Sequence, residues 1–238
     1  MSSVLYQVSL LQALSLGRYD GSVSIGELKK NGDIGIGTFD SLDGEMIMFD
    51  GIVYKASADG SVSVIGDDVT TPFANATFAK DDISRTVTAS SMKGLSDELD
   101  SIISERGINS VHFIRLNGNF DSIRLRSVPK QKRPYRKLAD VLSSEQVEWT
   151  LKDISGTVVG VYCPSYMSMV NNHGWHLHFI SDDRKKGGHV LDLSVKEGGC
   201  AFTAVDALKI VLPDDHSFHS LDLSVDQEKD IKRIEGTE

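Results

Sequence analysis

From Thr150 onward the chain alternates apolar and polar positions in short runs: TLKDI, TVVGVYC, GWHLHFI, HVLDLSV, CAFTAV and LKIVL. A period of two predicts strands that present one face to a core and one away from it. The same texture fills residues 45–65, where EMIMF, IVYKA and SVSVI are separated by Asp50-Gly51 and Asp59-Gly60. Asp-Gly between alternating runs is a strong hairpin signal, so this stretch is a predicted β-meander. Asn117-Gly118 predicts a further hairpin over residues 111–128.

Helical spacing is rarer. Leu5, Val8, Leu11 and Leu14 predict an amphipathic helix over residues 4–16, closed by Gly17. Ser24 with Glu27 fits a capping box ahead of a short helix over 25–30. Leu95, Leu99, Ile102 and Ile103 form one stripe of a helix over 91–106. Residues 138–149 also read as helical, and Ser224 with Gln227 opens a last helix over 226–234. The predicted class is α+β, with two β-sheet-based halves and a few flanking helices. Residues 1–149 form the first half and residues 150–238 a β-rich second half.

Composition narrows the partners. The 238 residues are 40% hydrophobic and 25% charged, with a net charge of −9. That balance argues against nucleic acid or an anionic membrane as the main partner. The basic stretch KQKRPYRK at 130–137 reads as a solvated loop within an acidic chain. No apolar run approaches the roughly 20 residues that cross a bilayer. The first residues lack the basic start and cleavage pattern of a signal peptide. Two separated cysteines, Cys163 and Cys200, fit a reduced, cytoplasmic protein without disulfides. Gly35 and Gly37 form a G-x-G without the strand-loop-helix context of a nucleotide site.

Candidate chemistry concentrates in WHLHFISDDRKKGGHV. His176 and His178 share one strand face, opposite Trp175, Leu177 and Phe179, and sit roughly 6–7 Å apart along the chain. His189 opens the next apolar run and can return a third imidazole to the same place. Three neutral histidines leave a tetrahedral zinc with one open position, the arrangement of catalytic sites. A lone H-x-H is more often surface or satisfied core than a ligand pair. Here four of the chain's seven histidines fall between His173 and His189, which favours the metal reading. His173 has the wrong parity and is expected to support the site or face solvent. Arg124 and Arg126 share a strand face, and an arginine turned into a cleft is a receptor for carboxylates. Taken locally, Glu45 is a solvated carboxylate at a strand end and Glu235 part of a charged tail.

Three longer stretches carry a resemblance. GTFDSLDGEMIMFDGIVYKA, VYCPSYMSMVNNHGWHLHF and GWHLHFISDDRKKGGHVLDLSV resemble, in order, segments of the α-acetolactate decarboxylases. The likeness runs from about residue 4 to residue 235. It implies that His176, His178 and His189 bind a catalytic zinc ion. It also implies that Glu45 and Glu235 reach the metal site, that Arg126 approaches the substrate, and that Thr38 offers a hydrogen bond. The implied site lies in a cleft between the halves, on the C-terminal β-rich half. The implied reaction converts (S)-2-acetolactate to (R)-acetoin and CO₂, in a homodimer with no organic cofactor. Two rivals stand beside it. A cupin-like metal-dependent oxygenase also uses H-x-H and a later histidine, but Ile180, Ser181 and Asp182 stand where its glutamate is expected. A non-catalytic protein with a structural metal would close the fourth position with a protein ligand.

Overall fold

The computed structural model describes residues 3–105, 107–168 and 170–224. The first elements are β1 (Val4–Val8), α1 (Leu11–Ser15), β2 (Val23–Ser24), α2 (Ile25–Lys29), β3 (Ile34–Thr38), β4 (Glu45–Phe49) and β5 (Ile52–Ala56). There follow β6 (Val62–Val64), β7 (Thr70–Thr71), β8 (Ala74–Thr77), β9 (Ile83–Ala89), α3 (Met92–Ser104) and β10 (Val111–Ser127). The rest comprises α4 (Leu138–Glu145), β11 (Val147–Cys163), β12 (Gly174–Ser181), β13 (Gly187–Val205), β14 (Ala207–Val211) and α5 (His216–His219). The α+β class stands, as two main sheets with few helices.

Seven strands form one sheet in the order β14-β1-β8-β3-β4-β5-β6. In the other, β10 pairs β11, β11 pairs β12, β12 pairs β13, and β13 pairs back onto β10. The ladder therefore closes into a small barrel, with β9 added alongside β13. Closure removes sheet edges and gives the barrel strands two distinct faces. The inner face packs Leu116, Phe120, Leu177, Phe179 and Leu193 together with Leu95, Leu99 and Ile103 of α3. The outer face brings Phe113, Val159, Val161 and Ile180 against Leu5, Ile36, Ile47 and Phe49 of the seven-stranded sheet. It is this sheet-on-barrel interface that carries the candidate site residues.

Several predicted elements hold. The β-meander is β4-β5-β6 in antiparallel register. Ser24 caps α2 by accepting from the Glu27 amide at 3.2 Å. The stripe of α3 buries Leu95, Leu99 and Ile103, and Ser91 accepts from the Gly94 amide at its start.

Others are corrected. Residues 4–8 are a strand, not the first turns of a helix. β1 lies between β14 and β8, so Leu5, Tyr6 and Val8 are buried, on both faces of the sheet. A short run apolar on both faces fits a central strand as well as a helix. Asn117-Gly118 is not a turn but the middle of β10. Gly118 pairs with Gly156 on one side and Gly198 on the other. A Cβ at Gly118 would lie 2.7 Å from the Glu197 carbonyl oxygen, so glycine serves close approach here. The helix predicted over 138–149 stops at Glu145, and Val147–Trp149 already belong to β11. TLKDI and TVVGVYC are one strand, as are HVLDLSV and CAFTAV. LKIVL leaves the barrel and pairs parallel with β1 in the other sheet. The helix predicted over 226–234 lies outside the described residues. Among the described residues no helix is long and apolar enough to cross a membrane.

Candidate metal centre

Strand β12 sorts its side chains by parity. Trp175, Leu177 and Phe179 enter the barrel core. His176 and His178 therefore face outward, toward the seven-stranded sheet, as does Ile180. In the β12–β13 ladder His178 stands directly opposite His189. In the β13–β10 ladder His189 stands opposite Arg126. Three neighbouring strands thus deliver three imidazoles and one guanidinium to one patch.

The nitrogens converge. His176 Nε2 lies 3.1 Å from His178 Nε2 and 3.1 Å from His189 Nδ1. One ligand atom from each ring falls within 4.8 Å of the others. Tetrahedral coordination with arms of about 2.0–2.1 Å spaces its ligands roughly 3.3–3.4 Å apart, so the cluster is already near metal-binding dimensions. The tautomer of His178 is fixed by its neighbour. Its Nδ1 lies 2.7 Å from the Met46 carbonyl oxygen, which can only accept, so Nδ1 carries the proton and Nε2 keeps its lone pair. The residues fit a metal ion.

All three rings are buried. Burial, with the nearby Arg126 charge, pulls the His176 pKa down to about 3. His178 and His189 are also held well below 6.5, first by burial and then by charges of the cluster. The rings stay neutral, the form that ligates. The depressed values make the metal-stripped fold acid-sensitive. Stability from these groups is complete above their ordinary pKa of 6.5 and is lost as pH falls toward their depressed folded values, about 3 for His176. We expect denaturant unfolding of the stripped protein to show lower stability at pH 5 than at pH 7. Equal stability at both would contradict the buried, neutral cluster.

Glu45 opens β4, and its Oε2 lies 3.5 Å from His178 Nε2. Thr38 pairs with Glu45 in the β3–β4 ladder. Its hydroxyl donates to the Gly44 carbonyl at 2.7 Å and so holds the turn that presents Glu45. Arg126 is buried, with Nη2 3.2 Å from His189 Nε2 and Nη1 3.5 Å from the Gln146 Oε1. Among the described residues it forms no ion pair. His176, His189, Arg126, Glu45 and Thr38 line one cavity, whose other walls include Leu11 and Leu14 of α1, Phe73, and Leu138 and Leu142 of α4.

Glu235 lies outside the described residues. His173 is exposed, and Arg124 sits in solvent against Glu148 at 3.5 Å. The apolar wall and Gln146 had no recognisable signal in the sequence. Their residues read only as parts of helices or, for Phe73, of a strand-like stretch.

A model of the alpha-acetolactate decarboxylase family matches residues 5–225. The chain belongs to the alpha-acetolactate decarboxylase family. The alpha-acetolactate decarboxylase of Methanosarcina mazei is 40% identical over 235 residues, covering 98% of this chain and 81% of the relative. That of Klebsiella aerogenes is 39% identical over 217 residues, covering 91% and 82% respectively. The crystal structure of the alpha-acetolactate decarboxylase from Bacillus subtilis strain 168 superposes with a TM-score of 0.94 at 32% identity, covering 98% of this chain and 99% of that one. As an alpha-acetolactate decarboxylase family member the chain is a carboxy-lyase, which sets the oxygenase reading aside.

Proposed function

We propose that this chain decarboxylates (S)-2-acetolactate to (R)-acetoin and CO₂ at a zinc ion held by His176, His178 and His189. The observation that carries the reading is the cluster of three buried imidazoles, with His176 Nε2 3.1 Å from a nitrogen of each of the other two rings, beside a buried guanidinium. An all-nitrogen set within 4.8 Å suits zinc. When bound, the ion supplies a Lewis acid for the substrate's ketone and hydroxyl oxygens.

The protein's own groups do the rest. The guanidinium of Arg126 pairs with the substrate carboxylate and orients the bond to be broken across from the ketone. Cleavage sends that electron pair into the ketone, releasing CO₂ and leaving an enediolate. Glu45 takes the hydroxyl proton and can return a proton to carbon from one face, which sets a single enantiomer, while one further proton taken up from solvent restores the hydroxyl. Thr38 keeps the Glu45 turn in place, and its hydroxyl oxygen retains a lone pair for a substrate hydroxyl. The leucines of α1 and α4, with Phe73, exclude water from the reacting carbons. Glu235 is assigned to the same site by the family resemblance.

In this reading residues 1–149 supply Glu45 and Arg126, and residues 150–238 supply the histidines. The barrel itself draws strands from both sides of that division. The resemblance supports a homodimer and the sparse cysteines a cytoplasmic setting, and sedimentation should give the mass of two chains. Incubating zinc-loaded protein with racemic acetolactate should release CO₂ and yield acetoin of one hand on a chiral column. Absence of both products at full metal occupancy would overturn the proposal.

A further inference from the structure

We propose that Gln146 is the positioning residue that reserves the charge of Arg126 for a carboxylate-bearing substrate. The inference rests on the reading of Arg126 given above. Gln146 follows α4 directly and precedes β11, with the extended backbone of a C-cap, φ −62° and ψ 141°. Its Nε2 donates to Glu148 Oε1 at 2.6 Å. A carboxylate only accepts and a guanidinium only donates, so the amide has one satisfied orientation: NH₂ toward Glu148 and oxygen toward Arg126. The Arg126 Nη1 donates to that oxygen at 3.5 Å, the long end of the hydrogen-bond range. Gln146 thus steers the guanidinium without neutralising it.

The carboxylates on either side of Gln146 are engaged elsewhere. Glu148 accepts from Gln146 and, at 3.5 Å, from Arg124. Glu145 accepts from Gln131 Nε2 at 2.9 Å and from Arg136. Neither pairs with Arg126, whose Nε is buried without a partner. Among the described residues no carboxylate pairs with this buried cation, and burying a cation in that way is costly until an anionic group arrives. A glutamate at position 146 would have nearly the same shape. Its charge would be repelled by Glu148 and drawn to Arg126, closing the receptor from within.

Gln146→Glu should fold and keep its metal, since position 146 is only half-buried. Its KM for acetolactate should rise about tenfold or more, with a smaller change in kcat. Competitive inhibition by acetoin, which has no carboxylate, should be unchanged. Glu148→Ala, which frees the amide to rotate, should raise KM by a smaller factor of about two to five, again without moving acetoin inhibition. A KM for Gln146→Glu within twofold of the parent overturns the proposal, as does a parallel loss of acetoin inhibition, which marks a merely structural role. If Arg126→Ala is crippled while both variants behave as the parent, this inference fails and the reading of Arg126 survives. If Arg126→Ala turns over normally, that reading fails first.

Discussion

His178→Ala is expected to lose metal and activity together. His178 is the most deeply buried of the three histidines, and its tautomer is set by the Met46 carbonyl across the sheet-barrel interface. Removing the ring deletes one of three nitrogens and leaves that carbonyl without its donor. Loss of an outer partner of a metal ligand alone typically costs 10- to 100-fold in affinity, and loss of the ligand itself should cost more than about 100-fold. The ring is neutral and buried, so its removal also opens a cavity, and some loss of stability is expected. The variant should therefore be compared at a temperature where circular dichroism shows it folded. Metal content by atomic absorption should fall well below one per chain, with acetoin formation falling in proportion. A folded His178→Ala protein with full metal and near-parental turnover would remove His178 from the site.

Arg126→Ala should show the opposite signature, with the metal retained and turnover lost. The guanidinium is buried, points at His189 rather than away from it, and forms no ion pair among the described residues. Its loss removes the charge proposed to receive the carboxylate and leaves the three histidines in place. Deleting one preorganised electrostatic group of this kind costs about 10² to 10³ in kcat. Arg126→Lys should recover little, because an ammonium lacks the planar fork that holds a carboxylate at two points. Metal titration and steady-state kinetics on the same preparation separate the two effects. Loss of metal from Arg126→Ala would make Arg126 a support for His189 rather than a substrate receptor.

The site was more legible than the fold around it. Parity along a strand places His176 and His178 on one face whatever the neighbours are, and an apolar run after Gly187-Gly188 puts His189 on the next strand. Both inferences use only local geometry. The partners of those strands are not local. Residues 111–127 form one strand because β11 and β13 flank it from both sides, and an Asn-Gly pair cannot report that. Residues 4–8 read at helical spacing, and it is their pairing with β8 and β14 that makes them a strand. Glu45 and Arg126 were visible as residue types, but nothing beside them in the chain showed that they are turned inward. Their link to the histidines came from the family resemblance, and the sheet-barrel interface accounts for it physically. Gln146 lay beyond reach for the same reason: its meaning depends on an arginine twenty residues earlier that only tertiary packing brings near.

The most direct measurement is an anomalous-difference map at the zinc edge from crystals of protein shown to produce acetoin. The expected result is a single peak about 2.0–2.1 Å from His176 Nε2, His178 Nε2 and His189 Nδ1, with Arg126 beside it and room for a keto acid. A fully active crystal with no peak at the three rings, or with the rings turned apart, would contradict it.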